Sequence, residues 1–123
     1  MSSKEMSKIL QDAMDQGGFL ACLVTDQEGF AIASVAREKF NADIQSAVIS
    51  LFQRATIQAS EQLGETISSE FTLYFQNGNI LVSKPFDVNQ LHLSISFLLS
   101  EKKQAYRRLM AIAIRDIQSS FEF

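Results

Sequence analysis

The sequence contains one cysteine, one proline, one histidine and no tryptophan. A single cysteine cannot close a disulfide within the chain, and one histidine plus one cysteine cannot build a zinc site from those two ligand types. Cys22 sits within Leu20-Ala21-Cys22-Leu23-Val24, where it reads as a small buried apolar side chain. That usage suits a reducing cytoplasm. No apolar run approaches the roughly 18 to 20 residues that a membrane span needs. The N-terminal Met1-Ser2-Ser3-Lys4-Glu5 lacks the basic and apolar stretches of an export signal. A net charge of −3 with no basic stripe matches a duplex phosphate lattice poorly, so nucleic acid is not an expected partner. The five glycines, at positions 17, 18, 29, 64 and 78, all fall at expected turns and helix ends. Neither GxxxxGK[ST] nor GxGxxG occurs, so the chain has no recognisable nucleotide cradle and no cofactor is expected.

What remains is one domain over 1–123, apolar enough to fold without a staple. Its 46% hydrophobic content is slightly rich for a small monomer and hints at a surface hidden against a second copy.

Ser2-Ser3-Lys4-Glu5 has capping-box spacing, and Met6, Ile9, Leu10, Ala13 and Met14 follow helical periodicity up to Gly17-Gly18. Segments 19–25 and 30–36 read as strands that are apolar on both faces, as in a sheet covered by two layers. Between them, Asp26-Gln27-Glu28-Gly29 offers turn residues, with glycine where a positive φ is required. Its two carboxylates have no companion ligands for a cation. Asn41 caps a long helix to about 63, with Asp43 at its positive end and Gly64 as terminator. On that helix Ile44, Ala47, Val48, Leu51, Ala55 and Ala59 form the expected core stripe. Ile49, Phe52 and Leu63 widen it to an apolar arc of roughly 200°, against little more than 100° for a surface helix. Such a helix needs a second neighbour.

Segment 67–76 carries Phe71, Leu73 and Phe75 on one face, and Asn77-Gly78 is a two-residue hairpin signal. The return strand spans 79–84 and is expected to end at Pro85. After a connection over 86–90, a strand over 91–99 alternates strictly, with His92, Ser94 and Ser96 on a small-residue face. The last helix is expected from Ser100-Glu101, burying Tyr106, Leu109, Met110, Ala113 and Ile117 and pointing Gln104, Arg107, Arg108, Arg115 and Gln118 outward. The order is αββαβββα, an α+β class.

Little of this is chemistry. His92 has no marked nucleophile beside it, and the arginines of the last helix read as a solvated face. The tail Phe121-Glu122-Phe123 either frays or docks on a neighbour.

The run Gly18-Phe19-Leu20-Ala21-Cys22-Leu23-Val24-Thr25-Asp26-Gln27-Glu28-Gly29-Phe30-Ala31-Ile32-Ala33-Ser34, with the long helix, the "NG" hairpin and the closing helix, resembles the Roadblock/dynein light chain family. The resemblance covers nearly the whole chain and includes the bacterial Mgl-type regulators of Ras-like GTPases. It implies a five-stranded antiparallel sheet, the long helix on one face and the terminal helices on the other. It also implies a homodimer, or a dimer with a paralogue, in which the long helices lie side by side and edge strands join. The extra flank Ile49, Phe52, Thr56 and Leu63, with the edge Phe71, Thr72, Leu73 and Tyr74, would form that interface. A non-catalytic regulator or scaffold for a small Ras-like GTPase is the implied function, with Gln53, Arg54 and Ile57 as exposed partner residues. Arg54 is the one candidate for an arginine finger, though a lone surface arginine is commonplace. A scaffold without effect on turnover, and a small-molecule sensor, are the alternatives.

Overall fold

The structure, a computed structural model, describes residues 3–37, 41–66, 70–100 and 105–120. Helix α1 spans Ser3–Gly17, strands β1 and β2 span Ala21–Asp26 and Ala31–Ala36, and helix α2 spans Ala42–Leu63. Strands β3, β4 and β5 span Phe71–Tyr74, Ile80–Val88 and Leu91–Leu99, and helix α3 spans Arg107–Ser120. The strands form one antiparallel sheet in the order β2-β1-β5-β4-β3. The element order and class match the sequence reading. Ser2, Ile67, Glu101, Gln104 and Phe121-Glu122-Phe123, to which parts of that reading fell, lie outside the described residues.

Both sheet faces are covered, but unequally. Alternation sends Cys22, Val24, Val82, Ile95, Phe97 and Leu99 toward α1 and α3, where they meet Met6, Leu10, Met14, Met110, Ala113 and Ile117. Phe19 and Phe97 stack there with ring centroids 4.7 Å apart. The opposite face, under α2, has only Leu23, Ile49 and Leu81 as its buried apolar cluster among the described residues. Tyr106 and Leu109, expected in the core, are half-buried against the first cluster. Burial pushes the Cys22 thiol far above its ordinary range, with Arg37 opposing weakly, so Cys22 is a core side chain and not a reactive one.

Asp26-Gln27-Glu28-Gly29 is a corner. Gly29 N–H donates to the Asp26 carbonyl (3.2 Å), and Asp26 Oδ1 accepts from the Glu28 and Phe30 N–H groups at 2.9 and 3.0 Å. The carboxylate braces its own turn. Gly29 has φ +94°, and a Cβ there would lie 3.4 Å from Ser50 Cβ, an ordinary contact. Gly29→Ala is therefore expected to cost about 1–2 kcal/mol through backbone strain alone. Gly78→Ala, at φ +91° in open space, should cost about as much. Urea melts of both variants check this, and a much larger loss at Gly29 would show that the contact with α2 matters more than the dihedral.

Three boundaries differ from the sequence reading. The β3–β4 turn is not a two-residue Asn-Gly loop: Gly78 N–H donates to the Phe75 carbonyl (3.0 Å), and Gly78 has a positive φ while Asn77 does not. This is a three-residue loop closed by a glycine bulge. Strand β4 runs through Pro85 to Val88; among the described residues β3 pairs with it no further than Ser83, and proline is tolerated where no described strand needs its N–H. Residues 86–90 thus belong to a hairpin whose loop is Asn89-Gln90, with Asn89 at φ 50°. Finally, α3 starts at Arg107 and not at Ser100.

Candidate functional site

The long helix forms as expected at both ends. Asn41 Oδ1 accepts from Ile44 N–H (3.1 Å), and Gly64 closes the helix at φ +70°. Its inside and outside are the reverse of the expected ones. The face on the sheet is Ser46, Ile49, Ser50 and Gln53. The expected core stripe points outward: Ile44 is 58% and Leu51 61% exposed, and Val48, Ala47, Ala55 and Ala59 are exposed too. At 100° per residue the outward apolar arc from Ala47 round to Leu63 is roughly 160° wide.

The reason lies in the strand residues beneath. Ser83 and Ser96 occupy the α2 face of β4 and β5, and Gln53 Nε2 donates to Ser83 Oγ (3.2 Å) while Ser96 Oγ donates to Ser83 Oγ (3.0 Å). Small hydroxyls let α2 approach and match its own polar stripe. Among the described residues, the Thr25 and Ser46 hydroxyls are buried without a hydrogen-bond partner. An orphan hydroxyl costs more than a methyl in its place, so Thr25→Val is expected to raise stability by about 1 kcal/mol. A lower urea midpoint for this variant would mean the hydroxyl is satisfied in solution.

Contacts give the helix a path across the strands. A Cβ on Gly29 would lie within 3.6 Å of Ala47, Ile49 packs with Leu23 and Leu81, Gln53 reaches β4, and the Phe52 ring lies 5.7 Å from that of Phe71 on β3. From Gln58 to Leu63 only Ser60 keeps partial cover among the described residues. Beside the helix an open apolar groove of about 460 Å³ is lined by Leu23, Val48, Phe52, Leu73, Leu81 and Leu98. On the other flank a cleft of about 330 Å³ is lined by Gln53, Arg54, Ile57, Asp87, His92 and Ser94.

The residues singled out from sequence divide accordingly. Phe52, Thr56 and Leu63 lie along one outward flank, and the Thr56 hydroxyl is tied back to the Phe52 carbonyl (2.9 Å), which suits an apolar seam. Phe71 and Leu73 point to the α2 side, while Thr72 and Tyr74 are exposed on the other face of β3. Strand β3 ends the sheet, so one of its backbone edges has no strand beside it among the described residues. Ile49 is a correction: at 1% exposure it belongs to the chain's own interior. Gln53 is another, held under the helix at 9% exposure. Arg54 is exposed and donates a long 3.4 Å bond to the Ser50 carbonyl, and Ile57 is half-buried. The cleft brings Gln53, Arg54 and Ile57 together, but on the flank opposite the apolar arc. His92 is largely exposed, with Nδ1 2.6 Å from Asp87 Oδ1. Among the described residues, no helix is long and apolar enough to cross a membrane.

The outward ridge Ile44, Val48, Leu51 and Ala55 was missed as a surface. Its signal was present: Ser46, Ser50 and Gln53 at helical spacing mirror the serine face of the strand alternation.

No family model and no curated protein matches the sequence. Solved structures do match the fold. MglB of Myxococcus xanthus superposes with a TM-score of 0.78 at 10% identity, covering 97% of this chain and 89% of that one. The gliding protein MglB of Thermus thermophilus gives 0.75 at 15% identity, covering 97% and 90%. A Roadblock/LC7 domain from Streptomyces avermitilis gives 0.73 at 10% identity, covering 93% and 95%. The chain has the Roadblock fold.

Proposed function

We propose that the chain is a non-catalytic Roadblock-type regulator of the cytoplasm that works as a homodimer, or paired with a paralogue, and docks a small Ras-like GTPase. The observation that carries this reading is the inverted polarity of α2, which turns Ser46, Ser50 and Gln53 to the sheet and Ile44, Val48, Leu51 and Leu63 outward. A helix so arranged has its hydrophobic driving force directed at something outside the chain.

A second copy meets the requirement. Two β3 edges joined about a two-fold axis would set the α2 helices side by side and antiparallel. The exposed last turns of one helix, with Leu63 at 76% exposure, would then lie over the apolar groove of the other. Phe52, Thr56, Leu63, Phe71, Thr72, Leu73 and Tyr74 serve that seam. Ile44, Leu51 and Ala55 stay on top of the helix pair as a deck for a third chain. This deck replaces Gln53 and Ile57 as the principal partner surface, with Arg54 at its border.

The test mixes purified dimer with the candidate GTPase bound to GDP, to GTP or to a transition-state mimic. Co-elution, lost in Leu51→Asp, is the expected result, and absence of binding in all three states sinks the proposal. Binding with unchanged turnover would assign the scaffold role in place of the regulator.

A further inference from the structure

Nine large apolar side chains are exposed among the described residues. Five belong to α2, and Tyr74 and Phe75 belong to the β3–β4 hairpin. The other two, Phe30 at 66% and Leu91 at 51%, share a different place: the end of the sheet away from that hairpin.

Strand register fixes the neighbourhood. Phe30 precedes β2 and its carbonyl accepts from Asp26 N–H (3.0 Å). Asp26 lies opposite Leu93 on β5, and on the far side of β5 Asp87 lies opposite His92 and Val88 opposite Leu91. Reading across four adjacent strands at this end therefore meets Phe30, Asp26, the Leu91–Leu93 start of β5, and Asp87. A depression of about 250 Å³ runs between the two turns, lined by Asp26, Glu28, Ile32, Leu91, His92 and Leu93.

Its charge has one dominant sign. Residues 25–32 and 86–93 contain Asp26, Glu28 and Asp87 but no lysine or arginine. Asp26 uses only Oδ1 to brace its turn, and Asp87 is 71% exposed beside His92. Arg54 lines the adjoining cleft on the α2 side. Two copies meeting through this end would set these carboxylates against each other, which disfavours self-association here. The same carboxylates flanking Phe30 and Leu91 complement a cationic segment with an apolar stripe.

We propose that this end of the sheet docks a basic amphipathic segment of a protein partner. Its apolar side chains seat on Phe30, Ile32 and Leu91, and its lysines or arginines meet Asp26 and Glu28 and, past His92, Asp87 on the side of the α2 cleft. The surface lies away from the β3 edge, so it stays open in a dimer joined at that edge and does not depend on the GTPase reading.

The experiment titrates isotopically labelled full chain with a helical peptide of leucine and lysine, and with its leucine–glutamate counterpart, following backbone amide shifts. The lysine peptide is expected to shift residues 26–32 and 89–93. Its affinity should fall about tenfold in the double variant Glu28→Lys/Asp87→Lys, and also in Phe30→Ser, and should weaken with added salt. The altered side chains are exposed, and unshifted α1 and α3 resonances will show that the fold is kept. Equal binding of both peptides, shifts confined to α2, or indifference to the charge reversal would overturn the proposal. So would a change of oligomeric mass in Phe30→Ser, since a second copy would then be the occupant.

Discussion

Replacing Phe52 with aspartate is expected to convert a dimer into monomers. Phe52 sits on the outward flank of α2, its ring 5.7 Å from Phe71 at the sheet's edge strand, and it lines the apolar groove beside the helix. An unpaired carboxylate in a desolvated seam costs on the order of 3–5 kcal/mol. The dimer dissociation constant should therefore rise by roughly 10² to 10³-fold or more. Phe52→Leu keeps the seam apolar and should stay dimeric, which separates the charge from the loss of the ring. Light scattering across a dilution series reads both, and circular dichroism confirms that each variant is folded. A dimeric Phe52→Asp at low micromolar concentration would remove α2 from the interface.

The second large effect is expected on the opposite face of the sheet. Phe97 is fully buried, stands opposite Cys22 and Val82 in register, and stacks on Phe19. Phe97→Ala should cost about 3–5 kcal/mol, a large part of the 5–15 kcal/mol that holds an ordinary domain. Leu98, the next residue on the strand, faces the thin α2 side and is only half-buried. Leu98→Ala should cost clearly less. Urea unfolding of the two variants measures the asymmetry, and equal losses would mean that the α2 face is as well packed as the other.

The asymmetry explains what could be read from sequence and what could not. Element order and class followed from local signals: the Asn41 cap, the glycine stops, the Asp26–Gly29 corner and the alternation of 91–99. Hydrophobic periodicity also found α2 and its surplus of apolar surface. It assigned the stripe Ile44–Val48–Leu51–Ala55 to the core because a lone helix ordinarily turns its oiliest face to its own sheet. That rule fails where the sheet offers Ser83 and Ser96 and the helix answers with Ser46, Ser50 and Gln53. The same inversion explains why Gln53 looked like a surface residue and Ile49 like an interface residue. Pro85 misled in a smaller way: proline ends a central strand, but among the described residues β3 pairs no further than Ser83, which leaves that part of β4 at the edge. The start of α3 was placed too early because apolar and charged residues alone do not mark an N-terminus there. The β3 edge could be proposed from the resemblance, whereas the acidic end holding Phe30 and Leu91 required the strand register.

The central claim is that the outward flank of α2 carrying Phe52, Thr56 and Leu63 is covered by a second copy of the chain. Sedimentation equilibrium of the unmodified protein, from low micromolar to its highest soluble concentration, tests this most directly. The account predicts twice the mass of a single chain throughout. A well-behaved species of single-chain mass at the top of that range, with α2 helical and its Phe52–Leu63 flank open to water, would contradict it.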